Sequence, residues 1–201
     1  MTTTVQGSIE YTVNTDLMTC TCPDFKFKRS YLSVDNPKRA CKHLAKFIPA
    51  KKRFRRDFAD SVLNKLSILN KYNHTVCGSY RRGLETVGDI DVLILTDDLS
   101  NVVNWVSLRY EVLWSGVEKI SFIVDGIQVD FRRCDKESLV TMTMYFTGSK
   151  NENIRLRIKA SKIGMKLNEY GLWFDGIKVN CDSEESVYKA LGLKYIKPKN
   201  R

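Results

Sequence analysis

Apolar positions recur along this chain in more than one period, and each period predicts a different element. In IEYTVNTDLMTCTCPDF, Ile9, Tyr11 and Val13 alternate with polar residues and Asn14 to Asp16 supply turn formers, which predicts a hairpin whose second strand runs into two cysteines. CKHLAKFI, residues 41–48, then reads as helical. Across residues 57–71, Phe58, Val62, Leu66 and Leu69 recur at helical spacing and predict a helix packed on a core. HTVCGSYRRG runs from a short apolar strand into a Gly78-Ser79 turn and a helix start. In GDIDVLIL the alternation disappears, and Ile90, Val92, Leu93, Ile94 and Leu95 mark a strand buried on both faces. Asp125-Gly126 is a two-residue hairpin signal between residues 118–124 and 127–133. Strand alternation then sets Ile127, Val129 and Phe131 on one face and Gln128, Asp130 and Arg132 on the other. Ser149 with Glu152 three residues on reads as a capping box that opens a helix, and Asn153 and Arg157, four apart, share one of its faces.

Charge adds a direction to this pattern. The 201 residues, enough for one or two domains, hold 33 basic and 23 acidic side chains, a net +10 that favours phosphate-rich partners. Residues 1–57 carry 12 basic and 5 acidic residues, so most of the excess sits in the first quarter. No apolar run approaches a membrane span and the amino terminus has no apolar signal centre, so an intracellular protein that avoids membranes is expected, with its compartment left open. In a reducing compartment the six cysteines read as metal ligands or small packing residues, the latter for Cys77, Cys134 and Cys181. Trp105, Trp114 and Trp173 read as core or domain-interface aromatics.

Cys20, Cys22, Cys41 and His43 form two short pairs 18 residues apart. Three sulfurs and an imidazole make a closed tetrahedral set suited to one structural Zn2+, which would staple a segment too small to hold itself together; four unrelated side chains are the alternative. The pattern, with CPDF at the first pair and CKHL at the second, resembles a SWIM zinc finger over residues 7–48, a module that implies nucleic-acid or protein binding. Beyond it, Lys51, Lys52, Arg53, Arg55 and Arg56 surround Phe54 and read as a DNA-binding basic linker, with a solvated linker or localisation signal as alternatives.

Gly78 and Ser79 at a helix start, with Arg82 nearby, make a cradle for phosphate. Asp89 and Asp91, two apart on a strand, point the same way, and two carboxylates near a core call for a cation. Aspartates also flank strands as turn residues; Asp130 on a second strand shifts the balance, since three carboxylates can hold two Mg2+ ions for phosphoryl transfer from a nucleoside triphosphate.

GSYRRG followed by GDIDVL, VDFR, YFTGS and LNEYGL resembles the family X DNA polymerases from about residue 58 to residue 201. The resemblance implies that Ser79, Arg82 and the glycines Gly78 and Gly88 contact a triphosphate. It implies that Asp89 and Asp91 hold both metals and that Asp130 serves the catalytic metal and primer terminus. It further implies that Tyr145 and Phe146 line the sugar pocket, that Gly148-Ser149 is often cis, and that Asn153 and Arg157 meet the nascent base pair. Gln128 stands where relatives carry an arginine beside the third aspartate, and Lys150 where they carry an acid. The lyase domain and helix-hairpin-helix clamps of larger relatives find no counterpart in these residues.

The expected fold is α+β: a zinc-stapled hairpin-helix module over residues 1–50, a basic linker over 51–57, a nucleotidyltransferase palm with a mixed sheet over 58–138, and a small C-terminal α/β domain that selects nucleotides over 139–201. The expected function is DNA-directed DNA synthesis at primer ends in short gaps, by a monomer using Mg2+, with Mn2+ as an alternative, deoxynucleoside triphosphates, and primer-template or gapped DNA. A template-independent or RNA-directed nucleotidyltransferase and a catalytically dead nucleic-acid or protein adaptor are the competing readings.

Overall fold

The computed structural model describes residues 2–5, 10–32, 40–47 and 52–201, and the chain divides into two compact units, residues 1–51 and 52–201. In the first unit, strands β1 (Thr2–Val5), β2 (Tyr11–Asn14) and β3 (Thr19–Cys20) form an antiparallel sheet in that order, followed by helix α1 (Pro23–Lys28). The expected hairpin is β2–β3, with Val13 opposite Cys20; Ile9 lies outside the described residues. Strand β1 is an addition to the expected elements, because its three successive threonines carry no apolar period. Pro23 pre-sets the first turn of α1, and the Cys22 sulfur accepts from the Phe25 N–H at 3.3 Å. The helix expected over 41–48 is only a 3-10 turn at Leu44–Lys46. Cys41 and His43 are two apart, a spacing a helix sends to different faces, yet both are buried. Val5, Val13, Phe25 and Leu44 pack with the three cysteines as this unit's core.

The second unit begins with β4 (Phe54–Arg55), which pairs with β6 (Thr86–Val87), and with α2 (Arg56–Lys65). Residues 54–57, expected as linker, are therefore part of the domain. Phe54 stacks on Phe58 with centroids 5.2 Å apart, and this apolar contact draws the basic run into the fold. The chain continues through β5 (His74–Val76), α3 (Gly78–Arg81), β7 (Asp89–Leu95), α4 (Ser100–Ser107), β8 (Glu111–Ser115), β9 (Lys119–Val124) and β10 (Ile127–Cys134). These strands form one mixed sheet in the order β5-β7-β10-β9-β8, with β7 and β10 parallel and every other pair antiparallel. Asp125 and Gly126 join β9 to β10 at φ values of 49° and 83°, the doubly left-handed turn that a two-residue hairpin requires.

Ile90, Val92, Ile94, Val129 and Phe131 face α2 and α4, meeting Ala59, Val62, Val102 and Val106. On the other face Leu93 and Cys134 pack with Cys77 and with Met142 of α5 (Leu139–Thr147), which is why β7 reads as an unbroken apolar run. Trp114, expected in a core or interface, lies on edge strand β8 and is 52% exposed, since β8 pairs only with β9.

The C-terminal part comprises α6 (Lys150–Lys162), the antiparallel sheet β11 (Met165–Asn168), β12 (Gly171–Phe174) and β13 (Ile177–Val179), and α7 (Glu184–Ala190). Met144, Leu156, Leu172, Val187 and Tyr188 fill its core. Ser149 caps α6 by accepting from the Glu152 N–H at 3.4 Å, but the reciprocal half of the expected capping box is replaced: the Glu152 carboxylate takes Arg155 and the Tyr188 hydroxyl instead. Among the described residues, no helix is long and apolar enough to cross a membrane.

A buried ionic network ties α3 to α7. Arg81 donates to Glu184 at 2.8 Å and to the Thr147 hydroxyl at 2.9 Å, while Arg201, its side chain fully buried, donates to the other Glu184 oxygen at 2.7 Å. Removing one carboxylate would leave two guanidinium groups facing each other without a counter-charge. Glu184→Ala is therefore expected to destabilise this unit by about 3–5 kcal/mol, read from urea unfolding, and a loss under about 1 kcal/mol would show the network to be dispensable.

Candidate active site

The site forms where β5 gives way to α3 above the first residues of β7. The Cys77 N–H donates to the Asp91 carbonyl at 2.7 Å, which closes the strand pairing just before the turn. Gly78 then crosses Asp91 so closely that a Cβ there would lie 2.6 Å from a carboxylate oxygen, and its φ of 60° suits glycine. Ser79 follows, buried, at the first turn of α3.

Parallel pairing of β7 with β10 sets Gln128 opposite Asp89 and Asp130 opposite Asp91. The three aspartates thus share the sheet face turned away from α2 and α4. Asp89 and Asp91 line an open pocket of about 550 Å³ together with Gly78, Ser79 and Arg82. Tyr145, Phe146 and Gly148 form a second wall, and Lys150, Asn153 and Arg157 of α6 a third. Asn153 donates to the Tyr145 carbonyl at 2.7 Å, which fixes α6 against the end of α5. Arg82 reaches the Thr147 carbonyl beside the Gly148-Ser149 peptide, which is cis. Gly88 precedes Asp89 and is buried without lining the pocket.

The carboxylates are not equivalent. Burial, reinforced by the charges of Asp89 and Asp130, pushes the Asp91 carboxyl up to about 7. Burial acts on Asp130 in the same sense but is outweighed. Lys119 donates to one oxygen at 2.7 Å, Gln128 to the other at 2.9 Å, and with Ser121 they hold this carboxyl below its usual range. Gln128 thus contacts the third aspartate from the position at which the resemblance implies an arginine in relatives. Lys119 was missed by sequence reasoning, although the Asp125-Gly126 register could have found it: pairing Asp130 with Ser121 puts Lys119, two residues away, on the same face. Arg132 was missed too; its guanidinium lies 4.5 Å from the Phe146 ring centroid.

The five basic residues assigned to DNA separate. Lys51 lies outside the described residues. Lys52 stands over the Phe54 ring and Arg55 pairs with Asp57 at the surface. Arg56 turns toward α3, donating to the Tyr80 carbonyl at 2.7 Å and stacking on that ring. Arg53, held by the Thr86 hydroxyl at 2.9 Å, lines the pocket instead of a linker surface.

In the first unit, the ligand atoms of Cys20, Cys22, Cys41 and His43 all lie within 4.8 Å of one another, and all four residues are buried. Backbone N–H groups of Cys22, Phe25 and Leu44 point at the sulfurs of Cys20, Cys22 and Cys41 at 3.3–3.5 Å, an arrangement that favours thiolates. Burial pushes the Cys20 thiol up to about 12, so this sulfur would become a thiolate only with a cation beside it.

Known proteins share this arrangement of strands and helices. Residues 53–162 match the family model of the DNA polymerase beta palm, and residues 142–201 that of the DNA polymerase beta thumb. The chain is 34% identical over 146 residues to the DNA polymerase/3′-5′ exonuclease PolX of Bacillus subtilis, a match covering 66% of this chain and 25% of that protein. It is 28% identical over 148 residues to the Repair DNA polymerase X of an African swine fever virus isolate, covering 68% of this chain and 84% of the viral protein. In fold it is similar to the Leishmania infantum polymerase beta of a ternary P/T complex, with a TM-score of 0.67 at 24% identity over 79% of this chain and 86% of that one. The chain spans only a quarter of the length of the Bacillus protein.

The raised Asp91 carboxyl has a measurable consequence. Its folded value exceeds the unfolded one, so its contribution to stability is full below about pH 4 and is lost as the pH rises through about 7. Without divalent cations, Asp91→Asn is expected to be more stable than the parent above pH 7 by on the order of 2 kcal/mol, the gap closing toward pH 4. Tryptophan fluorescence in urea reads this, because Trp105, Trp114 and Trp173 all lie in the second unit. A gap that is the same at both pH values would show that Asp91 is not strained.

Proposed function

The chain belongs to the DNA polymerase beta family, and on that premise we propose that it is a DNA-directed DNA polymerase that adds deoxynucleotides to primer ends in short gaps. The observation that carries this reading is the placement of Asp89, Asp91 and Asp130 on adjacent parallel strands. Beside them opens a pocket whose other walls carry the Ser79 hydroxyl, the Asn153 amide and the cations of Arg82, Lys150 and Arg157.

The donor set fits magnesium: three clustered carboxylates, one of them strained by burial and like charge, in a hard-oxygen environment. Asp89, Asp91 and Asp130 would together hold the two Mg2+ ions. Bound there, the pair would lower the pKa of the attacking hydroxyl and neutralise charge on the leaving pyrophosphate. The residues do the rest. Ser79 and Arg82 receive the triphosphate at the start of α3, with Arg53 adding a third contact from the side. Tyr145 and Phe146, edge to face with centroids 5.1 Å apart, present a wall to the sugar. Asn153 and Arg157, on the pocket face of α6, meet the nascent base pair, and Lys150 places a cation where an acid is usual for the family. These are the functional parts of a nucleotide-adding site, and they argue against a catalytically dead adaptor.

Cys20, Cys22, Cys41 and His43 would hold one structural Zn2+. This supports the reading of the first unit as a SWIM-like module, whose Lys26, Lys28, Lys42 and Lys46 are exposed and suit a polyanion such as DNA.

Extension of a labelled primer on gapped, recessed and single-stranded substrates tests the activity. Asp130→Ala is expected to reduce incorporation by at least about 10³-fold while gapped-DNA affinity changes by under about three-fold, because binding rests on cationic surfaces elsewhere. Incorporation within ten-fold of the parent would sink the assignment. For the first unit, Cys41→Ser is expected to abolish zinc retention and weaken DNA binding. The slope of log affinity against log salt should flatten by about 0.9 for each phosphate that the variant no longer neutralises, with the tryptophan-reported melting of the second unit unchanged. Unaltered DNA affinity after zinc loss would make a protein the module's partner.

A further inference from the structure

Asp130 is held on both oxygens before any substrate arrives. Gln128 takes Oδ1 through a neutral amide, which leaves the carboxylate its charge and its remaining lone pairs. Lys119 is different. Its ammonium sits 2.7 Å from Oδ2, with the Lys119 side chain 21% exposed and that of Asp130 10% exposed, so a full positive charge occupies this carboxylate in a partly desolvated place. Among the described residues neither partner makes another salt bridge, and this one is built by register: β9 and β10 are locked by the Asp125-Gly126 turn, which brings Lys119 diagonally across from Asp130.

A divalent cation at Asp130 and an ammonium on the same carboxylate repel each other, and the repulsion is stronger in a partly dehydrated site than in water. We propose that Lys119 is an internal counter-ion that occupies Asp130 in the resting enzyme and competes with the second divalent cation, so that this cation loads fully only when another anion draws the lysine away. The anion that fits is a phosphodiester of the primer strand, which must pass beside Asp130 when its 3′ end is delivered. The cation held mainly by Asp89 and Asp91 shares no carboxylate with the lysine. Loading is therefore ordered, the second cation arriving with the primer. This rests on the polymerase reading for the identity of the anion, but the competition itself does not.

The test uses the full chain with Mn2+ as the probe, counted by electron paramagnetic resonance in the presence of a non-hydrolysable deoxynucleoside triphosphate analogue and no DNA. The parent is expected to bind one Mn2+ tightly and a second at least about ten-fold more weakly, as a coupling of one nearby charge implies. Lys119→Met, which keeps the stem and loses the charge, should tighten the second site about ten-fold, whereas Lys119→Arg should leave it as in the parent. Lys119→Gln serves as a second neutral variant, each being checked for an unaltered tryptophan-reported melt. Adding primer-template to the parent should bring its second site to the affinity of Lys119→Met.

A second-site affinity in both neutral variants equal to or weaker than the parent's would overturn the proposal and leave Lys119 as a support for Asp130. If the neutral variants tighten the site but the parent extends no primer, the polymerase reading fails while the counter-ion stands. If the parent extends primers and the variants show no tightening, the counter-ion fails alone.

Discussion

Like charges gathered at the edge of an apolar core are the constraint on which this structure turns. Asp89, Asp91 and Asp130 stand on neighbouring strands whose opposite faces hold Ile90, Val92, Val129 and Phe131, so water is scarce on one side and negative charge abundant on the other. The chain relieves this unevenly. Asp130 is satisfied by Lys119 and Gln128, whereas Asp91 keeps a carboxyl raised by burial and by its neighbours. A site in that condition gains from every cation it binds, and the unmet cost of folding becomes affinity for the ions that the family's chemistry uses.

Holding that cluster in place requires both faces of β7 to be covered. Helix α5 does this by belonging to two cores at once: Met142 packs with Cys77 and Leu93 beneath the site, and Met144 packs with Leu156 and Tyr188 in the C-terminal part. The same helix ends in the Tyr145–Gly148 wall of the pocket. In the Arg81–Glu184–Arg201 network, Arg81 lies two residues from Ser79 and next to Arg82, so the elements that would grip a triphosphate and those of α7 share a rigid polar joint. Placement of α6 follows, through Asn153 on the Tyr145 carbonyl.

The first unit solves a different problem. Among the described residues its apolar core amounts to a few side chains around three cysteines and a histidine, the kind of small core that a bound metal would reinforce. Among the described residues that core shares no side chain with those of the second unit, so the two cores can be perturbed separately.

Much of this was legible in the amino-acid sequence because it depends on spacing within one element. The Asp89/Asp91 alternation, the buried run of β7, the Asp125-Gly126 turn, the stripe through Phe58 and Val62, and the start of α6 at Ser149 are local, and the backbone period alone determines which way their side chains point; the helix expected over 57–71 ends at Lys65, and Leu69 reaches the core from a 3-10 turn instead. The Cys and His pairs were legible from residue type and spacing, but that both pairs turn inward to one point was decided by packing, because the helix expected at the second pair is only a 3-10 turn. Only the tertiary structure decided the partners. The basic run looked uniform along the chain, yet Phe54 stacking on Phe58 and β4 pairing with β6 turned Arg53 into the pocket, committed Arg56 to Tyr80 and left Arg55 at the surface. Glu152 suggested a reciprocal cap until Tyr188, 36 residues away, took its carboxylate. Lys119 meets Asp130 only because two strands align in one register. Direction along an element is set by covalent geometry, but which charge ends beside which carboxylate is set by packing between segments distant in sequence, where several pairings are open to the chain and burial selects one.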